Sequence, residues 1–482
     1  MKSLLSQFAF GAAALGVVAL AAGSLMLLGA CSTKNNTAAE AAPADSLVHA
    51  DWSRNAVIYE VNTRQYTPEG TFAAFGRELP RLADLGVDIL WFMPIHPISE
   101  LNRKGELGSY YAVRDYKAVN PEFGTFDDFK AVVDSAHALG MKVIIDWVPN
   151  HTGCDNAWVV EHPEYYKRNE QGEMFGPFDW TDVYELDYAN PDTRAAMNDA
   201  LKFWITEAGI DGFRCDVAGR VPVDYWNDTR RELEAAAGRP IFMLAEATEP
   251  ELAERAFDMV YNWPMKDLFS EIAATAGQYS FQKEGEPMRT FPAKYAAAID
   301  SLLAVQAEQY PPYAYTMNMT SNHDLNSWEG TEFERLGAAA PAFAVLSYTL
   351  PGMPLIYTGQ ETGLDRALEF FVKDNPPVWE PRNGYFDFYR SLNALKHNRP
   401  ELAAGIDGTP LERIYTDEAR IYAFTRAKDG KGTYVVVNLS PDTIALDEVP
   451  ELADAKDVFT GEAAQPSAQI GPWGYQVLTY NE

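Results

Sequence analysis

From Asn55 onward, short runs of apolar and β-branched residues alternate with longer stretches of helical periodicity, the rhythm of βα units feeding a parallel sheet. Eight such runs stand out: AVIYEV (56–61), VDILWFMP (87–94), KVIIDWV (142–148), IDGFRCDVA (210–218), PIFMLAEA (240–247), FDMVYNW (257–263), YTMNMTSNHD (315–324) and PLIYTGQE (354–361). Their near-continuous apolarity suits strands covered on both faces. Eight strands with helical segments between them predict a closed (β/α)8 TIM barrel. Between the runs, Thr125-Phe126-Asp127-Asp128 places a cap and a carboxylate three residues apart, which predicts a helix running to His137.

The rhythm breaks in two places. About 40 residues rich in Trp, Tyr, Pro and Gly follow the third run, before a helix expected to start near Asp192, and they read as an inserted domain over the barrel mouth. After His397 the pattern becomes short alternating runs such as RIYAFTRA and GTYVVVNLS, separated by Gly, Pro and Asp, which predicts an antiparallel β-sandwich. The expected organisation is barrel at 52–148, inserted domain at 149–190, barrel again at 191–399 and sandwich at 400–482.

The first residues differ in kind. Lys2 precedes an apolar run that ends in Leu28-Gly29-Ala30-Cys31, the pattern of a lipoprotein signal with a small-residue cleavage site. Residues 1–30 therefore read as a signal peptide, Cys31 as the lipidated residue and 31–51 as a flexible polar tether. That implies a membrane anchor in a bacterial cell envelope, and Ser32 after the cysteine resembles outer-membrane sorting. An uncleaved spanning segment is the competing reading of the same run. Cys154 and Cys215 remain, too few for a disulfide framework, and read as two separate buried thiols, with a single disulfide between them as the alternative.

A formal net charge of −30 excludes nucleic acid and anionic lipid surfaces as partners, because the summed field repels both. It leaves a neutral ligand open. Aromatic residues make up 13% of the chain and include 11 Trp, which suits flat apolar surfaces such as sugar rings.

In a parallel barrel the chemistry gathers at the carboxyl ends of the strands. Polar residues fall there with a strong bias: the third run ends in DWVPNH (146–151), the fourth in Arg214-Cys215-Asp216, the fifth in Glu246 and the seventh in Asn322-His323-Asp324. Arg214 and Asp216 are i and i+2, so they share one face of the strand while Cys215 takes the other. The guanidinium is expected to keep Asp216 ionised, as a nucleophile requires. Glu246, in the apolar setting MLAEA, is expected to be pushed up by desolvation, as a general acid requires. A buried ion pair without catalysis is the plain alternative for Arg214 and Asp216 alone. Three strand ends carrying carboxylates argue against it.

The ordered set DWVPNH, GFRCDVA, the glutamate of LAEA and SNHD resembles the α-amylase family of glycoside hydrolases, family 13. SYYAVRDYKAVNPEFGT (109–125) and YELDYANP, around Asp187, resemble two further segments of that family. The resemblance implies Asp216 as nucleophile, Glu246 as general acid/base and Asp324 as transition-state stabiliser. It further implies Arg214 orienting Asp216, His151 and His323 bonding the sugar, Tyr111 stacking on it, and Asp146 as a structural carboxylate. Asn150 and Asp187 match positions through which the family often holds calcium, although Arg220, four beyond the nucleophile, puts a cation at the usual site. No other cofactor is required.

The expected function is retaining hydrolysis of α-glucosidic bonds, mainly α-1,4, in starch, glycogen or maltooligosaccharides. The alternatives are an α-1,6-active or transglycosylating member of pullulanase, neopullulanase or glucanotransferase type, or a non-catalytic glycan-binding lipoprotein. Val217 discriminates weakly among linkages. Trp158, Trp180 and Trp226 are candidate sugar platforms, with core packing the competing role for each.

Overall fold

A computed structural model describes residues 47–275, 279–281, 289–291, 294–379 and 384–481. The expected signal peptide, Cys31 and most of the tether lie outside these residues. Among the described residues no helix is long and apolar enough to cross a membrane.

All eight predicted runs become strands of one closed parallel barrel. They are β1 (Ile58–Val61), β2 (Ile89–Phe92), β3 (Lys142–Trp147), β4 (Gly212–Cys215), β5 (Phe242–Ala245), β6 (Met259–Tyr261), β7 (Tyr315–Asn318) and β8 (Met353–Tyr357). Each pairs with its neighbours in sequence, and β8 closes on β1 through Ile58 opposite Leu355. The interior is filled by Ile58, Ile89, Trp91, Ile144, Phe242, Leu244, Met317 and Leu355, while outward residues such as Trp147, Phe213 and Cys215 join the helix-side core. Gly212 is required where β4 meets β5, since a Cβ there would sit 1.8 Å from the Phe242 carbonyl oxygen. The helix Phe126–Ala138 opens with the predicted capping box, in which Thr125 and Asp128 bond each other's backbone.

Past β3 the chain forms a small antiparallel ribbon, His151–Gly153 with Val183–Glu185, and returns through the helix Pro191–Phe203. The C-terminal unit is a five-stranded antiparallel sheet in the order Glu412–Ile414, Ile421–Lys428, Lys431–Asn438, Tyr475–Tyr480, Lys456–Asp457. Its partner layer is only a two-stranded ribbon, Ile444–Ala445 with Gln469–Ile470. The reason lies in what each face covers. Ile421, Ala423, Tyr434, Val436 and Leu478 face the ribbon, whereas Tyr422, Phe424, Val435, Val437 and Val477 merge with the barrel's core.

Residues 47–51, expected to belong to the tether, pack against the barrel. His49 Nδ1 lies 2.7 Å from Asp258 Oδ1, its ring stacks on Tyr315 with 4.2 Å between centroids, and Ala50 is buried. Both cysteines of the barrel region are free and buried, as the sequence suggested.

Candidate active site

The parallel ladder runs one residue past the ends of β4 and β5. Asp216 N–H donates to the Trp147 carbonyl at 2.8 Å and Glu246 N–H to the Cys215 carbonyl at 2.9 Å. This sets the two carboxyls side by side at the mouth. The strand then stops abruptly: Val217 adopts φ +45°, a left-handed conformation that costs a β-branched residue about 1–3 kcal/mol. The turn aims the Val217 N–H at Glu246 Oε2, 2.9 Å away.

Arg214, fully buried, is the hub. Its Nη1 donates to Asp146 Oδ1 at 3.0 Å and to Asp216 Oδ1 at 3.1 Å, its Nε donates to the Tyr261 hydroxyl at 3.1 Å, and its Nη2 lies 3.1 Å from Glu246 Oε2. The guanidinium also lies over the rings of Trp91 (5.1 Å) and Tyr261 (5.4 Å). Arg214 therefore sets one positive charge among three carboxyls, which lowers the cost of burying them together.

The titration pattern differs from the sequence expectation. Burial, followed by the neighbouring Glu246 carboxyl, raises Asp216 well above the usual carboxylate range, and the attraction of Arg214 only partly opposes them. The Asp216 side chain is only 10% exposed, in keeping with burial as the leading cause. Burial likewise raises Asp146 to about 6, against the pull of Arg214. Asp146 accepts from Trp91 Nε1 (3.2 Å), the Tyr111 hydroxyl (3.0 Å) and Arg214, so all its bonds are internal to the cluster.

On the other side of the mouth, His323 bridges two residues. Its Nδ1 lies 2.5 Å from Glu60 Oε1 and its Nε2 lies 2.7 Å from the Tyr111 hydroxyl. Because Tyr111 donates to Asp146, both histidine nitrogens must donate, and the ring is an imidazolium. Burial opposes that charge, yet Asp324 and Glu60 together lift His323 to about 9. Asp324 Oδ2 stands 3.4 Å from His323 Nε2. The Tyr111 ring stacks on His323 and lies within 9° of parallel to Phe370, at 6.5 Å. His151 is the neutral counterpart: burial lowers it to about 4, and its ring meets Trp180 edge-on at 5.3 Å.

The structure thus brings Asp216, Glu246, Asp324, Arg214, Tyr111, His151 and His323 to one mouth. Glu60, Trp91, Tyr261 and Phe370 join them without having been singled out. Glu60 carried a readable signal, a carboxylate inside the buried run AVIYEV. Of the candidate platforms, Trp226 is buried and donates to the Ala218 carbonyl at 3.1 Å, and Trp158 packs on Tyr116 and Tyr165. Only Trp180 reaches the site.

Asn150 and Asp187, expected to hold calcium, flank the strand end where Leu186 N–H donates to the Asn150 carbonyl at 3.0 Å. Asn150 turns its amide nitrogen to His151 Nδ1 at 3.3 Å, and Asp187 Oδ1 accepts from the Ala189 N–H at 3.0 Å. Calcium takes six to eight oxygens, and among the described residues no three His, Cys, Asp or Glu side chains gather as a metal site. Glu185, at the joint between insert and barrel, is already paired with Lys167 (2.8 Å) and Arg220 (3.0 Å).

A parallel barrel presenting carboxyls around one buried arginine at its C-terminal mouth has the layout of a glycosidase-type barrel. The chain belongs to the α-amylase family: the model of the alpha amylase catalytic domain matches residues 59–185 and 165–383. It is 26% identical to the α-amylase MalA of Haloarcula japonica, over 85% of this chain but 59% of that relative. It is 32% identical to an α-1,4-glucan:maltose-1-phosphate maltosyltransferase of Cereibacter sphaeroides, over 80% of this chain and 66% of the relative. The chain thus spans less than two thirds of either relative's length. Among solved structures, an α-amylase from Lactobacillus plantarum superposes with a TM-score of 0.76 at 29% identity, covering 89% of this chain and 99% of that one.

Proposed function

We propose that the protein is a retaining glycosidase that cleaves α-glucosidic bonds, mainly α-1,4, in starch, glycogen or maltooligosaccharides. The observation that carries this reading is that one guanidinium holds both carboxyls, Arg214 Nη1 lying 3.1 Å from Asp216 Oδ1 and Nη2 3.1 Å from Glu246 Oε2. Inverting enzymes hold their carboxyls ~6.5–9.5 Å apart to seat a water, whereas retaining ones hold them close. In the first step an Asp216 oxygen attacks the anomeric carbon, the glycosidic C–O bond breaks, and Glu246 gives its proton to the departing oxygen. In the second, Glu246 takes a proton from water, the water oxygen bonds the anomeric carbon, and Asp216 leaves as carboxylate.

Arg214 supplies the charge that lets Asp216 ionise once a substrate oxygen takes over the Glu246 proton. Asp324, 22% exposed beside His323, faces the positive charge that develops on the sugar. Tyr111, with Phe370 parallel behind it, offers a flat face for the ring. The chemistry needs no cofactor. Similarity to a maltosyltransferase supports a second reading, transfer of the glycosyl group to a sugar instead of water. A product profile on starch, maltotriose and pullulan separates the two: shorter maltooligosaccharides from starch support hydrolysis at α-1,4 bonds. Products longer than maltotriose formed from maltotriose itself support transfer, and no cleavage of any of the three refutes both.

A further inference from the structure

The chain that leaves β7 carries His323 and Asp324 to the mouth, and on the way it is gripped at Thr320. The Thr320 hydroxyl donates to Glu332 Oε2 at 2.9 Å. The Gln360 amide nitrogen donates to the same Oε2 at 2.7 Å and to Thr320 Oγ1 at 2.6 Å, closing a triangle. The Thr320 carbonyl accepts from Arg335 Nη2. Glu332 and Arg335 sit on one short helix, Glu332–Leu336, and Gln360 in the turn after β8, where its Oε1 accepts from the Tyr357 N–H at 3.0 Å. Two separate elements therefore hold Thr320 by side chain and backbone at once.

This grip is costly. Glu332 and Thr320 are buried, and burial raises the Glu332 carboxyl to about 7. Burial lowers Arg335, and its Nη1 is enclosed without a hydrogen-bond partner. Among the described residues no ion pair joins the two; each turns to Thr320 instead. Buried charges without a salt bridge are destabilising, and packing alone gives no reason to aim both at one threonine.

What Thr320 governs follows from the chain. His323 is three residues on and Asp324 four. The His323 ring is fixed at its tip by Glu60 and Tyr111, whereas the backbone behind it is fixed at Thr320. Asn322 Oδ1 accepts from the Leu325 N–H at 2.8 Å, so residues 322–325 form one turn that moves with whatever holds its start.

We propose that Glu332 is a positioning residue for glycoside cleavage: by bonding Thr320 it fixes the segment that holds Asp324 against the positive charge developing on the sugar. This rests on the glycosidase reading above. Glu332 touches no substrate, and its contribution passes through Thr320 to the turn that carries Asp324.

The test measures kcat and KM on maltotetraose, at a temperature well below the melting point of each variant. Thr320→Val keeps the shape of the side chain and removes the donor. It is expected to lower kcat about tenfold and leave KM within about twofold, because the displaced interaction is one made in the transition state. Glu332→Leu is expected to give the same split. Thr320→Ser and Glu332→Gln, which keep the donor and the acceptor, hold kcat within about threefold. A Thr320→Val enzyme with unaltered kcat, whether or not its melting temperature falls, overturns the proposal, as does a loss confined to KM. Thr320→Val decides alone if Glu332→Leu does not fold. Failure of the glycosidase reading shows up differently, as wild-type protein that leaves maltotetraose intact.

Discussion

Glu60 Oε1 lies 2.5 Å from His323 Nδ1, a contact that ties the end of β1 to the segment after β7 and supports a charged imidazole inside the barrel. His323 is raised to about 9, so the organisation it provides is complete below its ordinary value of about 6.5 and is lost as pH rises through about 9. Glu60→Gln removes one of the anions that hold the proton. The alkaline limb of kcat/KM against pH is expected to move about one unit toward neutrality. Superimposable wild-type and variant profiles would show that this pair does not govern the site.

Asp146 is the partner that makes Arg214 affordable in the core. Asp146→Ala leaves the guanidinium short of a carboxylate at zero exposure, and a broken buried pair of this kind costs about 3–5 kcal/mol. Asp146→Asn keeps an acceptor and is expected to cost less. Urea unfolding of the two variants checks the order, and equal stabilities would contradict it.

The joint between the insert and the barrel is cross-linked by Lys167, Glu185 and Arg220. Burial of Glu185 is outweighed by these two cations, which hold its carboxyl below the usual range. Chelation with EDTA is therefore expected to leave the melting temperature unchanged. Glu185→Gln is expected to lower it, by about 1–3 kcal/mol of stability, because two cations then lose their shared partner. A fall of several degrees in EDTA would restore a metal to this joint.

Most of the barrel was legible because buried parallel strands write themselves as continuous apolar runs, and all eight did. The strand ends were less so. The run 210–218 reads as one strand, yet Val217 at φ +45° ends it early, and no propensity rule places a valine there. The residues around the carboxyls were legible wherever a charge interrupted an apolar run. Glu60 satisfies that rule as well as Arg214 does, but its partner is 263 positions away. The upward titration of Asp216 was not legible, since it depends on how deeply the fold buries that carboxyl.

Location rests on the sequence Leu28-Gly29-Ala30-Cys31. If Cys31 carries lipid, wild-type protein partitions into the detergent phase of a cloud-point extraction and Cys31→Ser moves to the aqueous phase. Wild-type protein found in the aqueous phase would contradict the anchor.

The central claim is double displacement through Asp216, with Glu246 as the acid and base. Its most direct test is a proton NMR time course of the anomeric signals as wild-type enzyme acts on maltoheptaose. Two inversions at one carbon predict that the α-anomer of the new reducing end appears first and mutarotates to the equilibrium mixture. The β-anomer appearing first would contradict the account.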